Sequence, residues 1–600
     1  MLKRFAGKVI AVFGLGLFLF LSMALTAPVT GQSQKSLATK KTANGITRHK
    51  YRIDLNVDFD ELSYKGNQTV QWINRSEKSV SVVYFHLYPN LRSGDQSNSN
   101  NQRNNDTSDE PRLQILEVLD AASAPLPHSL DDQRGTLRVN LREQVAPAAV
   151  AEIRIRFQGN VPEIDPEETG LATHVVKQVS AAVRGEREIR SARDINFRCR
   201  GVMLLGTSYP VLAVHDGDEW RRKLEATVGD FVFSEAADYE VRVETAAGVN
   251  VFAPGLETAS TSGEKQSRTF SGQALRDFPV LASRGLRSEQ AEVDGVTIST
   301  IFLPEHERVG KRVLAIASSA LQTFNAAFGR LPFKHIRIAE APLVAGLGST
   351  EFSGFNVIAS AFYVDFDSPA MRNLPELIRE QRDALEESLE WTVAHLVAHQ
   401  WWGAGVGNDP AREPVLDEAL ACWSALLYYK AIYGEERAAT ALQDQVRGVY
   451  RLYRTFGGED MDANRPSQDF RNTFQYAAII TAKGGLMFAE LERQLGTEKL
   501  QAALRNYFQT NLFEIAELDD LRGAIIAEAP IEQRRRVART FSRWLSDRRG
   551  DEDIAPPDAE LATSLGMPAR PNQPKNGERG AFTAFARLGK FFWQQMTRIR

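Results

Sequence analysis

Apolar and polar residues alternate along the first half of the chain. Tyr51-Arg-Ile-Asp-Leu-Asn-Val-Asp, Thr69-Val-Gln-Trp-Ile, Ala151-Glu-Ile-Arg-Ile-Arg-Phe and Tyr239-Glu-Val-Arg-Val-Glu-Thr place apolar side chains at every second position. A period of two belongs to strands with one buried face, so residues 46–285 are predicted to form an all-β domain. A polar excursion over 94–110, rich in Asn, Ser and Asp, reads as a loop, and the basic run Arg184–Arg200 as a solvated one. Near residue 290 the pattern changes. A strand from Val296 precedes a helix over 306–328 that ends at Phe328-Gly329; a strand at Ile336 and an edge strand near 348–356 follow, and from about 371 the period is helical. The order predicts a β domain, then a small sheet with a helical bundle over 286–550, an α+β arrangement.

The two ends differ from the body. Lys3, Arg4 and Lys8 lead an apolar run from Val9 to Leu25, followed by small and polar residues up to Gly31. This is the pattern of a secretory signal over 1–31, cleaved or kept as an anchor, with a linker over 32–45 before the first strand. It places the protein outside the cytoplasm, periplasmic or secreted. Residues 551–580 hold five prolines and many charges, the composition of a linker. Beyond it Phe582, Phe585, Leu588, Phe592, Met596 and Ile599 recur at steps of three and four, with Arg587, Lys590 and Arg598 on the other face. Residues 581–600 therefore read as a basic amphipathic helix, suited to an anionic membrane surface or to docking on the protein itself.

Composition narrows the chemistry. With 72 basic and 76 acidic residues the net charge is −4, so no overall basic field points to nucleic acid. Cys199 and Cys422 are too few for a disulfide scaffold or a cysteine-ligated metal. Only nine histidines are present, yet two of them, His395 and His399, stand at i and i+4 of a helical stretch. That spacing puts both imidazoles on one face, where they can share an ion such as zinc. Eighteen residues separate His399 from Glu418 in Leu416-Asp-Glu-Ala-Leu-Ala. A carboxylate from a following helix would complete a His₂Glu set with one open position, the catalytic zinc arrangement.

These residues resemble the gluzincin metallopeptidases of the membrane-alanyl-aminopeptidase family, whose signature is H-E-x-x-H with a Glu eighteen residues on. His399-Gln-Trp-Trp-Gly, Gly407-Asn-Asp, Phe328-Gly-Arg-Leu-Pro-Phe, Gly348-Ser-Thr-Glu351-Phe, Arg276-Asp-Phe, Lys483-Gly-Gly and Trp544-Leu extend the likeness over about residues 45–550. The resemblance implies a thermolysin-like α+β zinc domain behind the β domain, with a helical C-terminal extension. It also implies one zinc ion on His395, His399 and Glu418, and Glu351 holding the free amine of a peptide or protein N-terminus. Two positions depart from the family. Leu396 stands where the family has its general-base Glu, and Thr481 where it has a transition-state tyrosine; Thr350 replaces a Met beside Glu351. Leucine moves no proton, and threonine is too short to reach the oxyanion. Tyr476, five residues before Thr481, should point elsewhere on an α-helix. The expectation is a zinc-binding aminopeptidase-like protein with weak or lost peptidase activity. The alternatives are a hydrolase with a relocated base, for which Glu387 and Glu390 are candidates, and a non-catalytic binding module.

Overall fold

The computed structural model describes residues 47–91, 112–184, 187–188, 190–217, 219–224, 227–369 and 382–564. The signal over 1–31, the linker over 32–45, the excursion over 94–110 and the basic tail over 581–600 lie outside the described residues.

The alternating segments pair as their pattern requires. Strand β1 (His49–Asp58) buries every second residue. It runs antiparallel to β2 (Ser63–Ile73) and parallel to a later strand, Ala237–Ala246. With β3 (Arg112–Asp120), β4 (Val150–Asn160), β5 (Ala237–Ala246), β6 (Leu256–Thr261) and β7 (Lys265–Leu275) they form a seven-stranded sheet in the order β6-β7-β5-β1-β2-β4-β3. The inward set Tyr51, Ile53, Leu55 and Val57 is at most 4% exposed, and Tyr51 stacks on Tyr239 at 4.7 Å between ring centroids. A four-stranded sheet containing Val80–His86 and Thr136–Val145 contributes buried Val83, Phe85, Leu137 and Val139 to the same core.

The region is not all strand. Helix α1 (Leu171–Arg184) interrupts it, because Leu171, His174, Ala181 and their neighbours space apolar groups by three and four rather than two. The basic run is likewise more ordered than a solvated loop. Asn196–Cys199 is a strand, Arg193 makes a two-pronged pair with Glu168, and Arg198 pairs with Glu163.

The second sheet holds β8 (Arg287–Val293), β9 (Val296–Phe302), β10 (His335–Ala341), β11 (Ser349–Phe352) and β12 (Phe355–Ala359) in the order β8-β9-β10-β12-β11. The central three run parallel and β11 is the antiparallel edge. Between β9 and β10 lies α2 (Glu307–Phe328), which stops at Gly329 with φ 101°, a backbone geometry that glycine tolerates. Helices α3 (Arg382–Ala398) and α4 (Val415–Tyr433) follow. Both are buried nearly all round, so their sequences lack the one-sided stripe of a surface helix. Farther along, Gly550–Asp553 and Ala559–Ser564 are short helices. Asp551 pairs with Arg454 at 2.6 Å, so the start of the Pro-rich stretch docks on the fold rather than spanning free.

One buried side chain ties these parts together. Arg276, at the end of the seven-stranded sheet, is 7% exposed. Its guanidinium donates to the carbonyls of Ala404 at 3.0 Å, Ser234 at 3.2 Å and Glu514 at 2.9 Å, and its backbone N–H to Ser353 Oγ at 3.0 Å. A Cβ on Gly407 would lie 2.2 Å from the guanidinium carbon, so only glycine fits against it. Arg276→Ala would leave two buried carbonyls and a part-buried one without donors, at about 1–3 kcal/mol for each buried group. The expected result is a lower denaturant midpoint and a loss of about 3 kcal/mol or more; an unchanged midpoint would show that water replaces the guanidinium.

Candidate metal centre

The site sits where α3 ends. His395 is in its last turn, and His399 follows directly, its amide still bonding to the His395 carbonyl at 3.3 Å before the chain tightens at Gln400 and Trp401. Gly403, at φ 103°, then reverses the chain. Two indoles hold this turn: Trp401 Nε1–H donates to the Gly329 carbonyl and Trp402 Nε1–H to Ser424 Oγ, both at 3.0 Å. His399 Nδ1–H donates to the Trp402 carbonyl at 3.1 Å. That bond fixes the tautomer and leaves the Nε2 lone pair as the donor to a metal.

The sequence-identified ligands converge. His395 Nε2 and His399 Nε2 are 3.1 Å apart, and Glu418 Oε2, from the first turn of α4, is 3.6 Å from His395 Nε2. The three side chains are 6%, 2% and 4% exposed. Donors bound tetrahedrally to zinc at about 2.0–2.2 Å stand about 3.3–3.6 Å from one another; the imidazole–carboxylate pair has that spacing and the two imidazoles are slightly closer, so a small opening of the pair seats one zinc ion. Glu351, on the edge strand β11, brings Oε1 to 3.6 Å from His399 Nε2. Its hairpin is gripped by Gln400, which accepts from Gly354 N–H at 2.7 Å and donates to the Phe352 carbonyl and Asn356 Oδ1, both at 3.1 Å.

The departures from the family pattern have definite places. Leu396 is fully buried in the apolar core. Thr481 donates its hydroxyl to Glu418 Oε2 at 3.3 Å, so it braces a ligand. Glu390 accepts from the hydroxyls of Tyr428 at 2.7 Å and Tyr433 at 2.6 Å, and Glu387 pairs with Arg437 at 3.2 Å, so both candidates for a relocated base are engaged elsewhere. Cys422 packs against Gly485 and belongs to neither metal-capable group among the described residues.

Asp230 is the carboxylate that sequence reasoning missed. It comes from the β domain, about 120 residues before Glu351, and one of its oxygens lies within 4.8 Å of oxygens on both Glu351 and Glu418. The segment before it is tied to the site's rim by Arg190, which donates to the carbonyls of Thr227 and Val228, both at 3.0 Å. Asp230, Glu351 and His399 line a cavity of about 90 Å³ together with Asp277.

Residues 371–544 match the peptidase family M1 domain. Aminopeptidase M1-B of Oryza sativa subsp. japonica is 28% identical over 146 residues, which is 23% of this chain and 16% of the relative. Aminopeptidase M1-D of the same plant is 24% identical over 159 residues, 26% of this chain and 18% of the relative. The matched part thus spans less than a fifth of either. The crystal structure of the M1 zinc metallopeptidase from Deinococcus radiodurans superposes with a TM-score of 0.55 over 84% of this chain and 94% of that one, at 16% identity. A glutamate-to-alanine mutant of that enzyme superposes with a TM-score of 0.56. At such identity the likeness concerns the fold, an N-terminal β-rich part followed by a helical part. The chain therefore carries a peptidase family M1 domain over residues 371–544, in a fold like that of M1 zinc metallopeptidases. Within that domain Leu396 and Thr481 occupy the two positions named above.

Asp277 offers a test of the cavity's electrostatics. Burial, reinforced by the Asp230 carboxylate, pushes its carboxyl up to about 7, against the lowering effects of the Ser353 N–H and Arg276. A carboxyl raised in the folded state binds its proton more tightly there than in the unfolded chain. Its contribution to stability is therefore present below about pH 4 and is lost as pH rises toward 7. Melting curves of wild type and Asp277→Asn between about pH 5 and 8 should show the wild type losing ground to the variant as pH rises; parallel curves would contradict this.

Proposed function

We propose that this M1 protein binds one zinc ion on His395, His399 and Glu418 and seats the free N-terminus of a peptide or protein on Glu351. It cleaves the terminal bond poorly by the family's route. The observation that carries this reading is the converged His395–His399–Glu418 set beside a buried leucine at position 396. Zinc bound there would polarise a carbonyl and lower the pKa of a water toward about 7. The chain's own contributions are what changed. Without a carboxylate at 396, a positioned acid–base worth about 10²–10⁴ in rate is missing. Without a tyrosine at 481, an oxyanion donor worth roughly 10²–10³ is missing. The two losses do not simply multiply, yet either one leaves slow turnover.

Retained ligand binding has support from the relatives. A glutamate-to-alanine mutant of the Deinococcus radiodurans enzyme is seen bound to a Tyr-ser-ala substrate, and such a mutant of a two-domain M1 zinc metallopeptidase is seen bound to L-arginine. Glu351 offers this chain a carboxylate for the same kind of group, since a charge-assisted bond to an ammonium is among the stronger contacts a buried site can make. The basic, then apolar, first 25 residues support work outside the cytoplasm, and the basic amphipathic pattern of 581–600 supports a membrane surface as a further partner.

Purified full-length protein is expected to carry stoichiometric zinc and to turn over aminoacyl arylamides slowly. Leu396→Glu with Thr481→Tyr should raise kcat by about 10² or more. Chelator-sensitive turnover in the wild type equal to that of the double variant would refute lost catalysis, and absence of zinc would favour a metal-free binding module. Glu351→Gln should weaken binding of free amino acids by about tenfold or more while zinc content holds; unchanged binding would remove Glu351 from the amine seat.

A further inference from the structure

Each of the two missing groups has a chemical counterpart: Asp230 lies beside the site, and Tyr476 packs against Gly229, the residue before it. Ala477–Lys483, which carries Thr481, is π-helical rather than α-helical. In an α-helix five residues turn about 140° past a full turn. In a π-helix, with its bonds from i to i+5, residues five apart fall much nearer the same side. Tyr476 thus lies closer to the Thr481 side than an α-helix would put it. Its hydroxyl presses on the backbone of the β domain: a Cβ on Gly229 would lie 2.7 Å from the Tyr476 oxygen. The next residue is Asp230, whose carboxylate reaches to within 4.8 Å of Glu351 and Glu418. A carboxylate accepting from a water beside Glu418 falls in that range, since the water stands about 2.7 Å from its acceptor.

We propose that Asp230 and Tyr476 take over the work that Leu396 and Thr481 cannot do, and that they carry the slow turnover of N-terminal aminoacyl bonds. The proposal rests on the zinc and amine reading given above. As a water oxygen bonds to the carbonyl carbon, Asp230 takes one proton from that water. The carbonyl oxygen gains the negative charge and accepts a hydrogen bond from the Tyr476 hydroxyl. The C–N bond then breaks, and the leaving nitrogen receives the proton from Asp230, giving a carboxylic acid and an amine. Glu351 stays occupied by the substrate's ammonium, so Asp230 is the carboxylate that meets the water.

The test uses zinc-loaded full-length protein and an L-amino acid arylamide, with zinc content and competition by the free amino acid measured on the same samples. Asp230→Asn should lower kcat by about 10²-fold or more, and Tyr476→Phe by roughly 10²-fold, with KM and zinc content held. Asp230→Glu should recover part of the loss, and Gly229→Ala, whose methyl would displace the tyrosine, should behave like Tyr476→Phe. An unchanged kcat in Asp230→Asn and Tyr476→Phe, a wild type without turnover, or a loss that follows zinc content would overturn the proposal. Missing zinc or missing amino-acid competition in the wild type would overturn the reading beneath it, a separate result visible before any variant is compared.

Discussion

Everything near the site depends on burying two imidazoles and a carboxylate within 4.8 Å of one another. A buried ionised carboxylate without a partner costs many kcal/mol, so such groups stay charged only when paired or bound to a metal. A shared cation turns that liability into a held constellation. The second layer is arranged accordingly: the Trp402 carbonyl sets the His399 tautomer, Thr481 braces Glu418, and Gln400 fixes the hairpin of Glu351. Arg276 then locks the turn after His399 to the β domain through the Ala404 carbonyl, which keeps Asp230 and the helices in one frame.

The chemistry of the site is divided unevenly. The groups suited to a metal converge, whereas position 396 of α3 holds apolar packing. Leu396 gives the core what the site loses, since its side chain now belongs to the continuous apolar cluster. Burying a leucine in place of a glutamate favours the fold by a few kcal/mol. A family member under no demand for fast turnover could therefore drift this way without losing its structure. The β domain's carboxylate at 230 and the π-helical turn beside Tyr476 are the features on which the proposed residual chemistry rests.

Periodicity makes much of this legible. The alternation in Tyr51–Val57 marks its buried face, and the His395, His399 and Glu418 spacing locates three groups that the fold brings together. Other features leave a weaker signal. Helix α1 follows a stretch of strands and carries no motif, so its three-and-four spacing is outweighed by its neighbours. Asp230 lies far from the zinc helices in sequence and meets them only through domain packing. The π-helical turn after Tyr476 changes its angle to Thr481 from that of an α-helix, and residue type does not announce such a turn. The roles of Arg276 and Gln400 are bonds to backbone carbonyls and amides, which leave no trace in a pattern of residue types.

The most direct test of the central claim, that the metal seat survives the loss of the base, is anomalous diffraction at the zinc edge from crystals of the full-length protein. The account predicts one peak about 2.0–2.2 Å from His395 Nε2, His399 Nε2 and a Glu418 oxygen. No peak there in zinc-loaded crystals, or a peak held by other residues, would contradict it.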